Sequence, residues 1–118
     1  MFQPMSTLEQ PSELKYLYLT TTGRISGKPR KIEIWFVESQ QRFYILAEHL
    51  HETQWVKNIK RNPRVQIRLG KSSFEATARV LDYNRDRKAW LTAQALAREK
   101  YGWGDGLPVE LTPNRRRL

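Results

Sequence analysis

The segment YLYLTTTGRISGKPRKIEIWF, residues 16–36, decides the fold. Its first seven residues are rich in aromatic and β-branched types and end at Gly23, which is typical of a strand. After a turn-rich connection at 23–29, an alternation resumes in which Ile32, Ile34 and Phe36 share one face. The segment therefore predicts two strands joined by a glycine-containing turn.

The rest of the chain continues the period of two, interrupted by helices. Strands are predicted at 42–47, 65–69 and 74–80, and a short edge strand at 109–111. The order β-β-β-α-β-β-α, with the terminal strand, predicts a mainly β fold with flanking helices (α+β). The economical architecture is a small closed or partly split β-barrel.

Two helices are predicted between the strands. In the first, 53–60, Trp55 and Ile59 fall on one face, and Asn62-Pro63 ends it because the residue before proline disfavours helical geometry. The second runs over 85–100, with Asp82 or Asn84 as its N-cap and Gly102 at its C′ position. Trp90, Ala93, Ala97 and Tyr101 share its apolar face.

Length and composition predict one folded domain. The chain has 118 residues, 11% of them aromatic, and contains no cysteine. We expect an N-terminal arm at 1–11, a single domain at 12–113 and a basic tail at 114–118. No secretory signal is visible, and no apolar stretch approaches the roughly 20 residues of a membrane helix. A soluble cytoplasmic protein is the expectation.

The net charge of +9 favours an anionic partner. A nucleic-acid-binding small β-barrel is the alternative from another functional class, because a basic segment with aromatic neighbours is typical of single-strand binders. That segment comprises Lys57, Lys60, Arg61, Arg64, Arg68 and Lys71. Since Arg64 and Arg68 also fit the solvated face of a strand and no nucleic-acid motif accompanies them, we expect no nucleic-acid partner.

Residues for covalent or metal chemistry are few. No phosphate-binding loop, dinucleotide motif or serine nucleophile motif occurs. The only histidines, His49 and His51, stand beside Glu48 and Glu52, but a third ligand at diagnostic spacing is missing. We therefore predict no metal site and interpret the histidines as a surface pair.

The connection at 20–30, TTTGRISGKPR, offers glycines, hydroxyls and three cations. Exposed backbone N–H groups and basic side chains can bind a phosphate there. The residues alone fit equally well an ordinary hairpin turn whose charges face water.

Three stretches resemble the deazaflavin-dependent nitroreductase family: TTTGRISGKPRKIEIWFVE, RFYILAE and QWVKNIKRNPRVQIRLGKSSFEATARVLD. This family belongs to the flavin and deazaflavin oxidoreductases that share the FMN-binding-like split β-barrel of pyridoxamine phosphate oxidases. The resemblance implies a reductase of nitroreductase or quinone-reductase type. It would use reduced coenzyme F420, the deazaflavin, to transfer a hydride to a small electron-poor acceptor such as a quinone or a nitro compound. It also implies a homodimer with the cofactor site at or near the interface.

The resemblance assigns the cofactor-binding residues. Those at the phosphate and the anionic tail of F420 are Arg24, Ser26, Gly27, Lys28, Pro29 and Arg30; those near the ring are Ile32, Ile34, Ala47, Glu48 and His49; those on the closing helix are Trp55 and Asn58. Tyr101 and Trp103 are implied as substrate contacts. Core packing is the alternative for Tyr101, and for Trp55 the alternative is a core anchor of its helix. A solvent proton or Tyr101 would complete the product. Because Ile25 stands where relatives commonly carry a cation, an FMN-binding flavin reductase or oxidase of the same fold is the alternative.

Overall fold

The computed structural model describes residues 14–114. The arm expected at 1–11 and residues 115–118 of the expected tail lie outside the described residues. Seven strands form one antiparallel sheet, with two helices packed against it. Along the described chain, no helix is long and apolar enough to cross a membrane.

The strands follow the predicted segments closely. They are β1 (Tyr16–Thr22), β2 (Pro29–Trp35), β3 (Val37–Ser39), β4 (Arg42–Ala47), β5 (Arg64–Leu69), β6 (Ser72–Val80) and β7 (Leu107–Pro113). Their order in the sheet is β2-β1-β5-β6-β7-β4-β3. Burial alternates along β1 and β5 as the period of two predicts, so that Leu17, Leu19, Val65 and Ile67 fill the core.

The strand predicted through Phe36 is two strands. β2 ends at Trp35 and pairs with β1, whereas β3 begins at Val37 and pairs with β4 at the opposite edge of the sheet. One residue, the buried Phe36, joins these two edges. The sheet must therefore curl until its edges meet, which produces the split β-barrel that the sequence predicted.

The strand predicted at 109–111 is not an edge strand, and this prediction was wrong. β7 lies between β4 and β6 and pairs with both. Residues 107–111 are all buried. Pro108, the second residue of β7, lacks an N–H, which favours an edge position, but its carbonyl oxygen still accepts the N–H of Leu81 at 3.1 Å.

Helix α1 spans Gln54–Arg61 and confirms the prediction, whereas α2 spans Arg87–Tyr101 and begins two residues later than expected. The predicted N-cap of α2, Asp82 or Asn84, was wrong. Asp86 holds the N-cap position, and the Asp82 carboxylate instead accepts the N–H groups of Asn84 and Arg85 in the turn that precedes the helix. Gly102 ends the helix with φ of 81°, as predicted for a C-terminal glycine.

A polar chain crosses the sheet beneath α2. The Tyr44 hydroxyl donates to the buried Glu110 carboxylate at 2.9 Å, and Arg79 bridges Glu110 and Asp86. Burial and the Glu110 carboxylate raise the pKa of Tyr44 to about 12. Tyr44 therefore stays neutral at physiological pH and anchors β4 to β7.

Candidate active site

Two adjoining clefts open beside β2 and share the indole of Trp55. The loop cleft, about 510 Å³, is lined by Thr21, Gly23, Arg24, Ile25, Ser26, Arg30, Ile32, Gln54, Trp55 and Asn58. The aromatic cleft, about 550 Å³, is lined by Tyr16, Glu33, Ile34, Trp35, Phe36, Val37, Tyr44, Leu46, Glu48, His49, Thr53, Trp55, Ala97, Tyr101 and Trp103. Both volumes lie in the range of small-molecule sites.

The β1–β2 connection at the loop cleft is a closed turn. The N–H of Gly23 donates to the carbonyl of Lys28, and the N–H of Gly27 donates to that of Gly23, both at 2.8 Å. Gly27 has φ of 75°, in the left-handed region that favours glycine. The Ser26 hydroxyl accepts the N–H of Lys28 at 3.1 Å and lies 3.4 Å from the Arg30 guanidinium. The turn is thus held by its own backbone and by Ser26.

Arg24 fastens this turn to α1. Its guanidinium donates to Asn58 Oδ1 at 2.9 Å and to Gln54 Oε1 at 2.8 Å, and its backbone N–H donates to Asn58 Oδ1 at 3.2 Å. Asn58 is buried and donates through Nδ2 to Thr21 Oγ1 at 3.1 Å. Asn58 therefore joins the end of β1, the turn and the helix.

Lys28 and Arg30 present the exposed positive charge of the turn. Neither forms an ion pair with a carboxylate of residues 14–114. Arg30 lines the loop cleft, whereas Lys28 lines neither cleft. Cations without a carboxylate partner are available to an anionic ligand.

The aromatic cleft has a stacked wall. The rings of Trp35 and Tyr101 lie parallel, with centroids 4.4 Å apart and an interplanar angle of 3°. The side chain of Trp103 is half-buried and lines the same cleft. Planar aromatic surfaces of this kind bind flat, apolar ring systems.

The hydroxyl of Tyr101 is hydrogen-bonded to backbone atoms. It accepts the N–H of Phe36 at 3.0 Å and lies 2.6 Å and 2.7 Å from the carbonyl oxygens of Lys15 and Phe36. Burial raises the pKa of Tyr101. This geometry favours the packing role that the sequence left open for Tyr101 and disfavours its use as a proton donor.

Thr53 presents an unpartnered polar atom at the aromatic cleft. Among the described residues, its Oγ1 is the one buried side-chain polar atom that has no hydrogen-bond partner. Thr53 also occupies the N-cap of α1 without making the usual side-chain cap. Its hydroxyl remains available for a hydrogen bond with a bound molecule.

The structure distributes the predicted residues over several places. Arg24, Ser26, Arg30, Ile32 and Asn58 line the loop cleft, and Ile34, Glu48, His49, Tyr101 and Trp103 line the aromatic cleft, with Trp55 between them. Gly27 and Pro29 instead line a smaller cleft of about 210 Å³ on the other side of the turn. Ala47 lines none of these clefts, and its side chain is buried in the barrel core.

Sequence reasoning missed Thr53, Gln54 and Trp35 as cleft residues. Gln54 and Thr53 precede Trp55 directly, so their position at the start of the predicted helix was the available signal. No pattern indicated that Trp35 lines a cleft, because the predicted strand continued through this position to Phe36.

His49 and His51 are both exposed. The His51 Nδ1 lies 2.7 Å from the ammonium of Lys60, a cation that opposes metal binding there. Throughout residues 14–114, no three His, Cys, Asp or Glu side chains converge as ligands.

Three solved structures show similarity over most of this chain. An F420H2-dependent reductase, FDR-A, is 28% identical, with 81% of this chain and 91% of that chain covered and a TM-score of 0.62. A protein described as a domain-swapped dimer is 26% identical, with 91% of each chain covered and a TM-score of 0.59. HutZ, the heme storage protein from Vibrio cholerae, is 23% identical, with 98% of this chain and 93% of that chain covered and a TM-score of 0.76. This similarity supports the fold alone.

The architecture is that of the split barrels related to pyridoxamine phosphate oxidases, as the resemblance implied. The family model for the F420H(2)-dependent quinone reductases matches residues 6–105, a stretch that contains both clefts from Tyr16 to Trp103. By this match, which spans most of the 118 residues, the chain belongs to the family of F420H(2)-dependent quinone reductases, which are oxidoreductases.

Proposed function

We propose that this protein binds reduced F420 across the two clefts and reduces a small quinone or nitro compound in the aromatic cleft. The observation that carries the proposal is the junction at Trp55. There, a cleft with cationic side chains adjoins a cleft walled by aromatic rings. A cofactor with an anionic chain on one side and a flat ring on the other matches this arrangement.

The residues fit such a cofactor. The exposed Arg30 and Lys28 stand at the turn, where the phosphate and the carboxylates of the tail would be held. Arg24, Ser26, Gly27 and Pro29 would shape that turn. The orphaned Thr53 hydroxyl gives the aromatic cleft a hydrogen-bonding group for a ring substituent. Ile32 and Ile34 would contact the ring system, and Trp55 and Asn58 would close the site from α1.

When bound, reduced F420 supplies the hydride, and one proton from solvent completes the reduction of the acceptor. The chain contributes position and exclusion of water. The Trp35–Tyr101 stack and Trp103 would hold the acceptor flat. Glu48 and His49 follow β4 at the cleft mouth, where they would border the reacting rings.

Cofactor binding to the apoprotein tests the proposal. We expect F420 to quench the tryptophan fluorescence and to bind more tightly than FMN, because its tail adds negative charges that meet the basic turn. Arg30→Ala should raise the Kd for F420 about 10-fold, the effect of losing one charge-assisted hydrogen bond.

Arg68→Ala is the matched control, since Arg68 is an exposed cation that contacts the ring of Tyr18 and lines neither cleft. Its Kd for F420 should stay within about 2-fold of the wild-type value. Preference for FMN would transfer the function to a flavin reductase of the same fold. Failure to bind either cofactor would refute both assignments.

We further propose that the protein is a homodimer with the clefts at or near the interface. Two observations support this: the exposed Tyr16 and Trp35 side chains, which pair across β1 and β2, and the domain-swapped dimer among the similar structures. Light scattering at micromolar concentration should give twice the 14.0 kDa chain mass. Trp35→Glu should shift the protein toward the monomer, and a wild-type monomer mass would contradict the proposal.

A further inference from the structure

Charge is segregated between the two clefts. Of the described residues, the loop cleft is lined by two arginines, Arg24 and Arg30, and by no carboxylate. The aromatic cleft is lined by two carboxylates, Glu33 and Glu48, and by no lysine or arginine within residues 14–114. In a chain of net charge +9, the aromatic cleft is thus locally acidic.

We propose that Glu33 and Glu48 set the charge specificity of the acceptor and select neutral or cationic ring compounds over anionic ones. This inference rests on the proposed function, because it takes the aromatic cleft as the acceptor site.

The two carboxylates approach the cleft from different elements. Glu33 lies on β2, next to the half-buried Ile34 and two residues before the stacked Trp35. Glu48 follows the last residue of β4 and is exposed. An acceptor lying against the aromatic wall would therefore have a negative charge on the β2 side and another on the β4 side.

The neighbouring cations stand outside the lining of the cleft. Lys31 and Arg68, which lie over the ring of Tyr18 beside Glu33, do not line the cleft. Lys100 contacts the ring of Phe36, but it points its ammonium at the Phe36 carbonyl and also does not line the cleft. His49 is the remaining titratable side chain at the mouth besides the tyrosines.

The expected size follows from Coulomb's law with solvent screening. An exposed carboxylate several ångströms from a sulfonate disfavours its binding by a factor of about 2–3. Two such carboxylates together should disfavour an anionic acceptor by about 4–9-fold. Salt should reduce the effect, because both carboxylates are solvent-exposed.

A matched pair of acceptors tests the inference: 1,4-naphthoquinone and its 2-sulfonate. For each, the Kd is measured by quenching of tryptophan fluorescence in the cofactor-free protein, and kcat/KM is measured with reduced F420. In the double variant Glu33→Gln/Glu48→Gln, the ratio of the Kd for the sulfonate to the Kd for the neutral quinone should fall about 4–9-fold. Comparing the same two acceptors across variants cancels their different reduction potentials.

The control is Glu75→Gln/Glu99→Gln, which makes the same change in net charge at exposed positions outside both clefts. It should leave the ratio of the two Kd values unchanged. An equal fall of the Kd ratio in the control would overturn the inference. So would an unchanged Kd ratio in Glu33→Gln/Glu48→Gln. The single variants Glu33→Gln and Glu48→Gln replace the double variant if it does not fold, and each should change the ratio about 2–3-fold.

The two proposals fail separately. If neither quinone is reduced with reduced F420, the proposed function fails, whereas the Kd ratio in the cofactor-free protein still decides whether the carboxylates discriminate. If both quinones are reduced and the ratio does not respond to the carboxylates, the proposed function stands and this inference is wrong.

Discussion

Gly104→Ala should destabilise the protein by about 2–4 kcal/mol and remove most of its reductase activity. A Cβ at this position would collide with the carbonyl oxygen of Gln94 in α2 and would lie 2.8 Å from Cγ of Arg98. The side chain of Arg98 can move, but the Gln94 carbonyl is fixed in the helix. The loop that carries Trp103 would have to leave α2, so the aromatic cleft would lose this ring. Urea denaturation and kcat/KM for a quinone measure the two effects.

Gly102→Ala is the matched control in the same loop. Gly102 has φ of 81° but no atom within 4 Å of the position that a Cβ would take. This variant therefore carries only the cost of a left-handed alanine, about 1 kcal/mol. If Gly104→Ala were no less stable than Gly102→Ala, the close approach of the loop to α2 would not hold Trp103 in place.

Asn58→Ala should cost about 2–4 kcal/mol of stability and weaken F420 binding more than 10-fold. The substitution removes the acceptor of the Arg24 backbone N–H and guanidinium and the donor to the buried Thr21 hydroxyl. Without these bonds, the turn that presents Arg30 is fastened to α1 only through the exposed hydrogen bonds between Arg24 and Gln54. The free energy of unfolding comes from urea denaturation, and the Kd comes from quenching of tryptophan fluorescence.

Asn58→Asp should restore much of both losses, because its carboxylate still accepts from Arg24 and the Thr21 hydroxyl can donate to it. Asn62→Ala, directly after the last residue of α1, is the control: the Asn62 amide oxygen accepts the N–H of Arg64, two residues away, and the position is partly exposed. It should cost less than about 1 kcal/mol. If Asn58→Ala and Asn62→Ala lost equal amounts of stability and of F420 affinity, the role given to Asn58 would be contradicted.

The position of Arg24 illustrates what a sequence pattern leaves open. The composition of the turn predicts an anion site, and Arg24 belongs to the motif that carries the resemblance. In the structure its guanidinium is bonded to Asn58 and Gln54, 34 and 30 residues further along the chain. That Arg24 holds the cofactor phosphate stays a prediction, and its observed contacts give it a part in positioning the turn.

The features that depend on residues close together along the chain could be predicted before the structure. The alternation in β1 and β5, the i, i+4 pair in α1 and the left-handed Gly102 are local properties, because the backbone repeat alone decides which side chains share a face. The short motifs around residues 20–30 and 54–65 identified the family for a similar reason, since their order and spacing are read directly along the chain.

Only the tertiary structure decided how distant segments meet. The central place of β7, the break at Phe36 and the anchoring of the Tyr101 hydroxyl by residues 65 and 86 positions away follow from the curl of the sheet. The opposite charges of the two clefts arise in the same way, because Glu33 and Glu48 come together from separate strands. Contacts of this kind depend on strand order and on closure of the barrel, and the period of a single strand carries no information about either.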